Sequence, residues 1–321
     1  MSNGPQIDPD APLVFIVNAA SGSDGAEAKR VAIETALQAG GRRGELVFAP
    51  ADELATAARA AAATAKATRS AVVAVGGDGT INAVAQAAHA EGCAMGVVPQ
   101  GTFNYFARTH GLPAEPGAAV QALLNAQPRP VQVGRVNGTV FLVNASLGLY
   151  PQLLEDREAW KSRFGRSRLV ALGAGFATLM RAHRQLRLSI EQGGAERTVK
   201  TPTLFVGNNR LQLEQVGLPQ AEGVEAGSIA AVMLKPIGTR AMLWLLLRGA
   251  FGSLGEADDV ESFAFRRMLV TPSRGHGRGR VKVAFDGEIA WLQAPLQFEV
   301  AAQPLWLLKP DGVAATEVDA R

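Results

Sequence analysis

The first hundred residues alternate short β-branched apolar runs with longer segments of helical spacing. Leu13 to Val17 reads as a buried strand, followed by a small-residue polar loop, Asn18 to Ser23, and a helix over Ala26 to Gln38. Glu45 to Ala49 is a second strand. A very alanine-rich helix is predicted to start at a cap supplied by Asp52 and to reach Thr68, its small side chains suiting close packing on a sheet. Ala71 to Val75 is a third strand, valine-rich enough to be buried on both faces, and Ala94 to Val98 is a fourth, ending at Pro99. Strands alternating with helices of this length imply βαβ units and a mostly parallel sheet. Ligands of such sheets sit beyond the carboxyl ends of the strands. Three polar loops fall there: Asn18 to Ser23, Gly76 to Thr80, and Gln100 to Asn104.

The rest of the chain is organised around the middle loop. Gly76, Gly77 and Gly79 are expected to turn the chain through positive φ with no Cβ in the way, and a helix is expected from about Thr80. Main-chain N–H groups of the turn and of the helix start make an anion site suited to phosphate. Asp78 is the odd member, because a carboxylate beside phosphate repels it unless it serves a metal, holds the loop or takes a proton. The alternative is an ordinary glycine-rich βα turn capped by Asp78.

After a helix around Ala118 to Asn125 the texture changes at Gln127 to Pro130, which is read as a boundary. It separates an α/β domain of residues 12–129 from a β-rich domain of residues 130–302, with a segment at roughly 303–314, carrying the apolar run Leu305 to Leu308, returning to the first. Val131 to Val136 and Thr139 to Ser146 flank Asn137-Gly138, a strong hairpin signal. Further short runs, from Leu186 to Glu191 through Leu296 to Val300, suggest a sandwich-like second domain.

Composition narrows the function. With 321 residues the chain is long for one core, and 47% hydrophobic residues provide ample interior. A net charge of +3 gives no field that advertises nucleic acid. One cysteine, Cys93, excludes an internal disulfide and reads as a small buried hydrophobe, in keeping with a cytoplasmic setting. The four histidines are scattered, without metal-ligand spacing. The N-terminal MSNGPQIDPDAP, polar and proline-rich, is expected to be a loose tail with no signal-peptide character. Two apolar inserts, the Arg-rich Arg157 to Arg187 and Ala241 to Leu254, fall short of the roughly 20 apolar residues of a membrane span. They read either as interfacial helices, with Arg163, Arg166 and Arg168 for anionic head groups and Leu243, Trp244 and Leu247 for the acyl boundary, or as core-facing helices with solvated cationic faces.

Taken together, the motifs resemble those of the diacylglycerol-kinase catalytic-domain family, which includes bacterial lipid kinases and sphingosine kinases. The resemblance rests on Gly76 to Thr80 with Asn82, on Val98 to Arg108 followed by Gly111 to Pro113, on Asn18 with Ser21-Gly22, on Val206 to Asn208, and on Phe285 to Glu288 with Pro295. It covers roughly residues 13–308 in the family's order. It implies an N-terminal Rossmann-like α/β domain of the NAD-kinase type, a C-terminal β-sandwich domain, and an active site in the cleft between them. Three departures stand out: Ala19 or Ala20 replaces the first loop's proline, Ala83 a glutamate, and Tyr105 an aspartate.

The resemblance implies an ATP-dependent lipid kinase using Mg²⁺, with a lipid substrate, an anionic membrane surface as peripheral partner and no nucleic acid. Asn18, Ser21, Gly22, Gly76, Gly77, Gly79, Thr80, Gly101, Thr102 and Asn104 are the expected nucleotide-binding residues. Asp286 is the first candidate base, Asp78 the second and also the candidate metal ligand, and Glu288 an orienting or metal-linked group. Asp286-Gly287 also fits plain hairpin-turn chemistry. Two other functions stay in view: a non-catalytic nucleotide- or lipid-binding homologue, favoured by Ala83 and Tyr105, and a soluble-substrate kinase of the NAD-kinase type.

Overall fold

The computed structural model describes residues 4–19, 22–149, 151, 185–215, 217–218, 220–225, 227–236, 258–273 and 279–310. The chain divides into two compact units, Met1–Val133 with Ala301–Arg321, and Gly134–Val300. Among the described residues, no helix is long and apolar enough to cross a membrane. Arg163, Arg166, Arg168, Leu243, Trp244 and Leu247, the proposed membrane contacts, lie outside the described residues, as does Ser21.

The first unit is built on a six-stranded sheet of order β2-β1-β3-β4-β18-β5. Its strands are β1 (Leu13–Asn18), β2 (Gly44–Ala49), β3 (Ala71–Gly76), β4 (Ala94–Pro99), β5 (Ala126–Val131) and β18 (Leu305–Pro310). All neighbours are parallel except the β18–β5 pair. Helix α1 (Gly22–Ala39) and the helix Pro116–Leu124 cover one face, where Ile33, Leu37, Val120 and Leu123 meet Phe15, Val17, Val73 and Val75. Helices α2 (Leu54–Ala67) and α3 (Asp78–Glu91) pack against each other and on β1 and β3. Alanines at 58, 61, 62 and 65 of α2 are buried there, as small side chains allow. Because β1, β3 and β4 are parallel, their carboxyl ends emerge along one edge.

Several expectations need correcting. Asp52 does not cap α2; the cap position is Glu53, which makes no side-chain capping bond. The N-terminal segment is fastened rather than loose. Asp8 N–H donates to the Arg69 carbonyl at 2.7 Å, Ser70 Oγ to the Pro12 carbonyl at 2.6 Å, and Arg42 donates to the carbonyls of Asp8 and Pro9. Gln127 to Pro130 is itself the edge strand β5. Proline fits there because an edge strand lacks a partner on one side.

The second unit holds two six-stranded antiparallel sheets. One runs in the order β10 (Ala195–Thr201), β9 (Leu186–Gln192), β14 (Arg267–Pro272), β17 (Leu296–Val300), β6 (Gly134–Val136), β7 (Thr139–Phe141). The other runs β13 (Val260–Phe265), β12 (Ile229–Leu234), β11 (Thr203–Gly207), β8 (Asn144–Gly148), β15 (Arg280–Phe285), β16 (Glu288–Gln293). Alternate residues of both, among them Leu147, Leu188, Ile190, Leu204, Val206 and Phe298, form one apolar cluster. The Asn137-Gly138 hairpin forms as its signal predicts, with φ of 46° and 87°. After β7, Leu142 and Val143 carry the chain from one sheet into the other.

Candidate functional site

The three polar loops of the first unit meet. Asn18, at the end of β1, donates from Nδ2 to Thr80 Oγ1 at 3.3 Å, and Gln100 N–H, just past β4, donates to the Gly76 carbonyl at 2.8 Å. None of Gly76, Gly77, Gly79 or Gly101 has positive φ, which corrects the expected reason for these glycines. Close approach is what requires Gly76 and Gly101. A Cβ on Gly76 would lie 2.4 Å from Thr80 Oγ1, and one on Gly101 would lie 2.7 Å from Asn104 Oδ1 and 3.0 Å from Gly77 Cα. A Cβ on Gly77 would stand 3.4 Å from Gly101 Cα. The loops after β3 and β4 thus touch backbone to backbone.

Helix α3 starts at Asp78, earlier than expected, with Gly77 as its cap residue. A glycine offers no side chain to the first N–H groups of the helix, so they remain suited to an anion. Gly79 lies in the same first turn. Asn104 has a left-handed backbone, φ 48°, and holds Gly101 reciprocally: its Oδ1 accepts from Gly101 N–H and its Nδ2 donates to the Gly101 carbonyl, both at 2.9 Å. Thr102 is exposed beside them, and Gly22 opens α1.

Asp78 is the unsettled group of this cluster. Its Oδ1 is buried with no hydrogen-bond partner. Burial pushes its carboxyl above the ordinary carboxylate range, and main-chain N–H groups of Asn104 and of Asp78 itself pull the other way. Among the described residues no group of three or more His, Cys, Asp or Glu side chains is placed to hold a metal ion. A lone orphaned carboxylate oxygen nevertheless fits Mg²⁺, which takes one or two carboxylates and completes its shell with phosphates and water.

The remaining candidates belong to the second unit. Asp286 and Gly287 form the β15–β16 turn with φ of 47° and 89°, so the hairpin reading holds. Asp286 is also buried and ligated by main chain. Its Oδ2 accepts from Leu142 N–H at 2.7 Å, and its Oδ1 from Val143 and Asn144 N–H at 2.8 and 3.0 Å. Asn208, in the expected Gly-Asn segment, secures the same crossing: its Nδ2 donates to the Leu142 carbonyl at 3.0 Å and its N–H to the Val143 carbonyl at 2.8 Å. Glu288, first residue of β16, is exposed. Two residues were missed from sequence. Asn144 has a buried, unpartnered Oδ1, and its signal was a lone amide in an apolar run. Phe103 is the other, an exposed aromatic in a polar loop.

The fold is that of solved diacylglycerol-kinase structures, an α/β domain joined to a β-sandwich. A Bacillus anthracis crystal structure described as a "putative diacylglycerol kinase" superposes with a TM-score of 0.72 over 94% of this chain and 98% of that chain, at 18% identity. Residues 12–136 match the diacylglycerol kinase catalytic domain family, which bears out the resemblance read from the motifs. A "Probable lipid kinase YegS-like" protein of Pseudomonas aeruginosa is 48% identical over 79 residues, 24% of this chain and 26% of the relative. The diacylglycerol kinase of Bacillus subtilis is 40% identical over 88 residues, 26% and 29% of the two chains. A YegS-like protein of Chromohalobacter salexigens is 34% identical over 146 residues, 43% and 45%. The chain therefore spans less than half the length of the curated relatives it matches.

Proposed function

We propose that the chain is an ATP-dependent lipid kinase, transferring the γ-phosphoryl group to the hydroxyl of a diacylglycerol-like acceptor. The observation that carries this reading is the close approach of the two glycine-bearing loops after β3 and β4 beside the orphaned Asp78 oxygen, with Asn18 bonded to Thr80, in a segment that matches the kinase family. The turn from Gly76 to Thr80 and the start of α3 would take the phosphates, with Gly101, Thr102 and Asn104 closing the other side. Asp78 would hold Mg²⁺ bound with the nucleotide. Bound there, Mg²⁺ neutralises phosphate charge.

In the reaction the acceptor oxygen bonds to the γ-phosphorus, the bridge to the β-phosphate breaks, and ADP leaves with that electron pair. The acceptor's proton needs a base. Both Asp286 oxygens already accept main-chain N–H groups, so taking a proton would cost those bonds. The exposed Glu288, two residues away, carries no such burden in this reading and takes the proton, with Asp286 positioning it.

The test is phosphate transfer from labelled ATP to diacylglycerol in mixed vesicles. A labelled phosphatidate-type product supports the reading; phosphorylated NAD⁺ instead would move it to the soluble-substrate class. Tyr105 and Ala83, at positions where the family carries carboxylates, favour one rival, a nucleotide-binding homologue without turnover. Tight ATP binding with no transfer to lipid would establish that rival.

A further inference from the structure

Among the described residues three large apolar side chains are exposed, and one of them, Phe103 at 48%, lies two residues past Gly101. Its ring is stacked parallel to Tyr105, with centroids 5.9 Å apart and 6° between the planes. The Arg108 guanidinium lies 5.9 Å from the Tyr105 centroid. Two rings at positions i and i+2 come together because Asn104, between them, adopts its left-handed conformation and is locked to Gly101 by two bonds. The glycine that meets Gly77 therefore also anchors the aromatic pair. This is a preorganised flat π surface beside the proposed phosphate turn.

We infer that the Phe103–Tyr105 pair is the stacking platform for the nucleobase of the bound nucleotide, an inference that rests on the nucleotide reading above. Every base has a π face, and stacking on an aromatic ring is tolerant of base identity. The rings are joined through Gly101 to the loop proposed to hold phosphates, and base and phosphates belong to one molecule. A lipid surface is the weaker occupant: among the described residues Phe103 is flanked by the polar Thr102 and Asn104, and one exposed phenyl ring beside Tyr105 is far short of an interfacial face. The site consequently accepts ATP and GTP alike, and a nucleotide binds it better than its bare phosphates.

Equilibrium binding on the full chain tests this with three probes, ATP, GTP and inorganic tripolyphosphate, each with Mg²⁺. Phe103→Ala is expected to weaken ATP and GTP binding roughly tenfold or more, to leave tripolyphosphate binding unchanged, and to be rescued by Phe103→Trp. Equal losses for ATP and tripolyphosphate would mean loop damage, and no loss for either would mean an idle ring; both overturn the inference. So does a variant whose ATP binding is intact but whose sedimentation with lipid vesicles falls. If the parent chain binds neither ATP nor tripolyphosphate, the phosphate-loop reading fails first and the platform falls with it. Tripolyphosphate binding by the parent with no advantage for ATP would overturn the platform alone.

Discussion

Asp286 and Asn144 are bonded to each other twice: Asp286 N–H donates to the Asn144 carbonyl and Asn144 N–H to Asp286 Oδ1, each at 3.0 Å. With the N–H groups of Leu142 and Val143, this clamps the tip of the β15–β16 hairpin to the strand that crosses between the two sheets. A side chain that holds backbone so firmly fixes where Glu288, two residues on, begins its strand.

The clamp and the proposed base separate by mutation. Asp286→Asn replaces an acceptor oxygen by an NH₂ group facing donors, so it is expected to cost about 2–3 kcal/mol of stability, with a fall in turnover that follows from misplacing Glu288. Glu288→Gln is expected to leave the melting temperature unchanged and to cut turnover by roughly 10²-fold or more. Paired thermal melts and kinase assays decide. Unchanged turnover in Glu288→Gln would remove it from the mechanism.

Close approach, rather than φ, predicts an order among the glycines. Gly101→Ala must displace Asn104 and press on Gly77, at an expected cost of about 1–3 kcal/mol and most of the ATP affinity. Gly77→Ala, whose Cβ would meet Gly101 at 3.4 Å, should be milder, and Gly77→Val severe. Denaturant melts and ATP titrations of the three variants check the order; equal effects of the two alanines would refute it.

Asp78 is held at a cost. Its carboxyl is raised in the fold, so the native state binds more protons than the unfolded chain between the ordinary carboxylate value and the raised one, and stability falls as pH rises through that window. Asp78→Asn removes the ionisable group. In the absence of nucleotide the variant should melt higher than the parent at neutral pH while losing Mg·ATP binding, a stability–function exchange. A lower melting temperature would count against this account.

His110 supplies the opposite slope. It packs edge-on to Phe106 with centroids 4.7 Å apart; burial, and secondarily Lys309, push its pKa down to about 3. The unfolded histidine titrates near 6.5, so from about pH 6.5 down to about 3 the unfolded chain binds the extra proton and stability drops as the pH falls. His110→Gln is expected to flatten this acid limb in melts between pH 7 and pH 4. An unchanged acid limb would place its origin elsewhere.

Much of the architecture was legible because it rests on periodicity. Val72, Val73 and Val75 announced a buried strand, and Asn137-Gly138 announced its hairpin, since each signal is local. What failed depended on distant partners. The N-terminal segment read as loose because nothing local reveals that Arg42 and Arg69 wait for its carbonyls and for Asp8. The glycines of the turn were recognised but explained wrongly: none has positive φ, and the tight approaches are at Gly76, against Thr80, and at Gly101, against Gly77 of another loop. Asp286 was legible as important, while its three N–H donors lie some 140 positions earlier in the chain.

The position of β18 has a consequence in time. It lies between β4 and β5, and β5 has no other partner in the sheet. On the ribosome, the first 133 residues therefore emerge as an incomplete layer, with the edge of β4 open and β5 unpaired, until residues beyond 300 have been made. The whole sandwich is synthesised in that interval and is free to fold first as a continuous unit. A strand edge held open through that interval is the part of the nascent chain most open to wrong pairing.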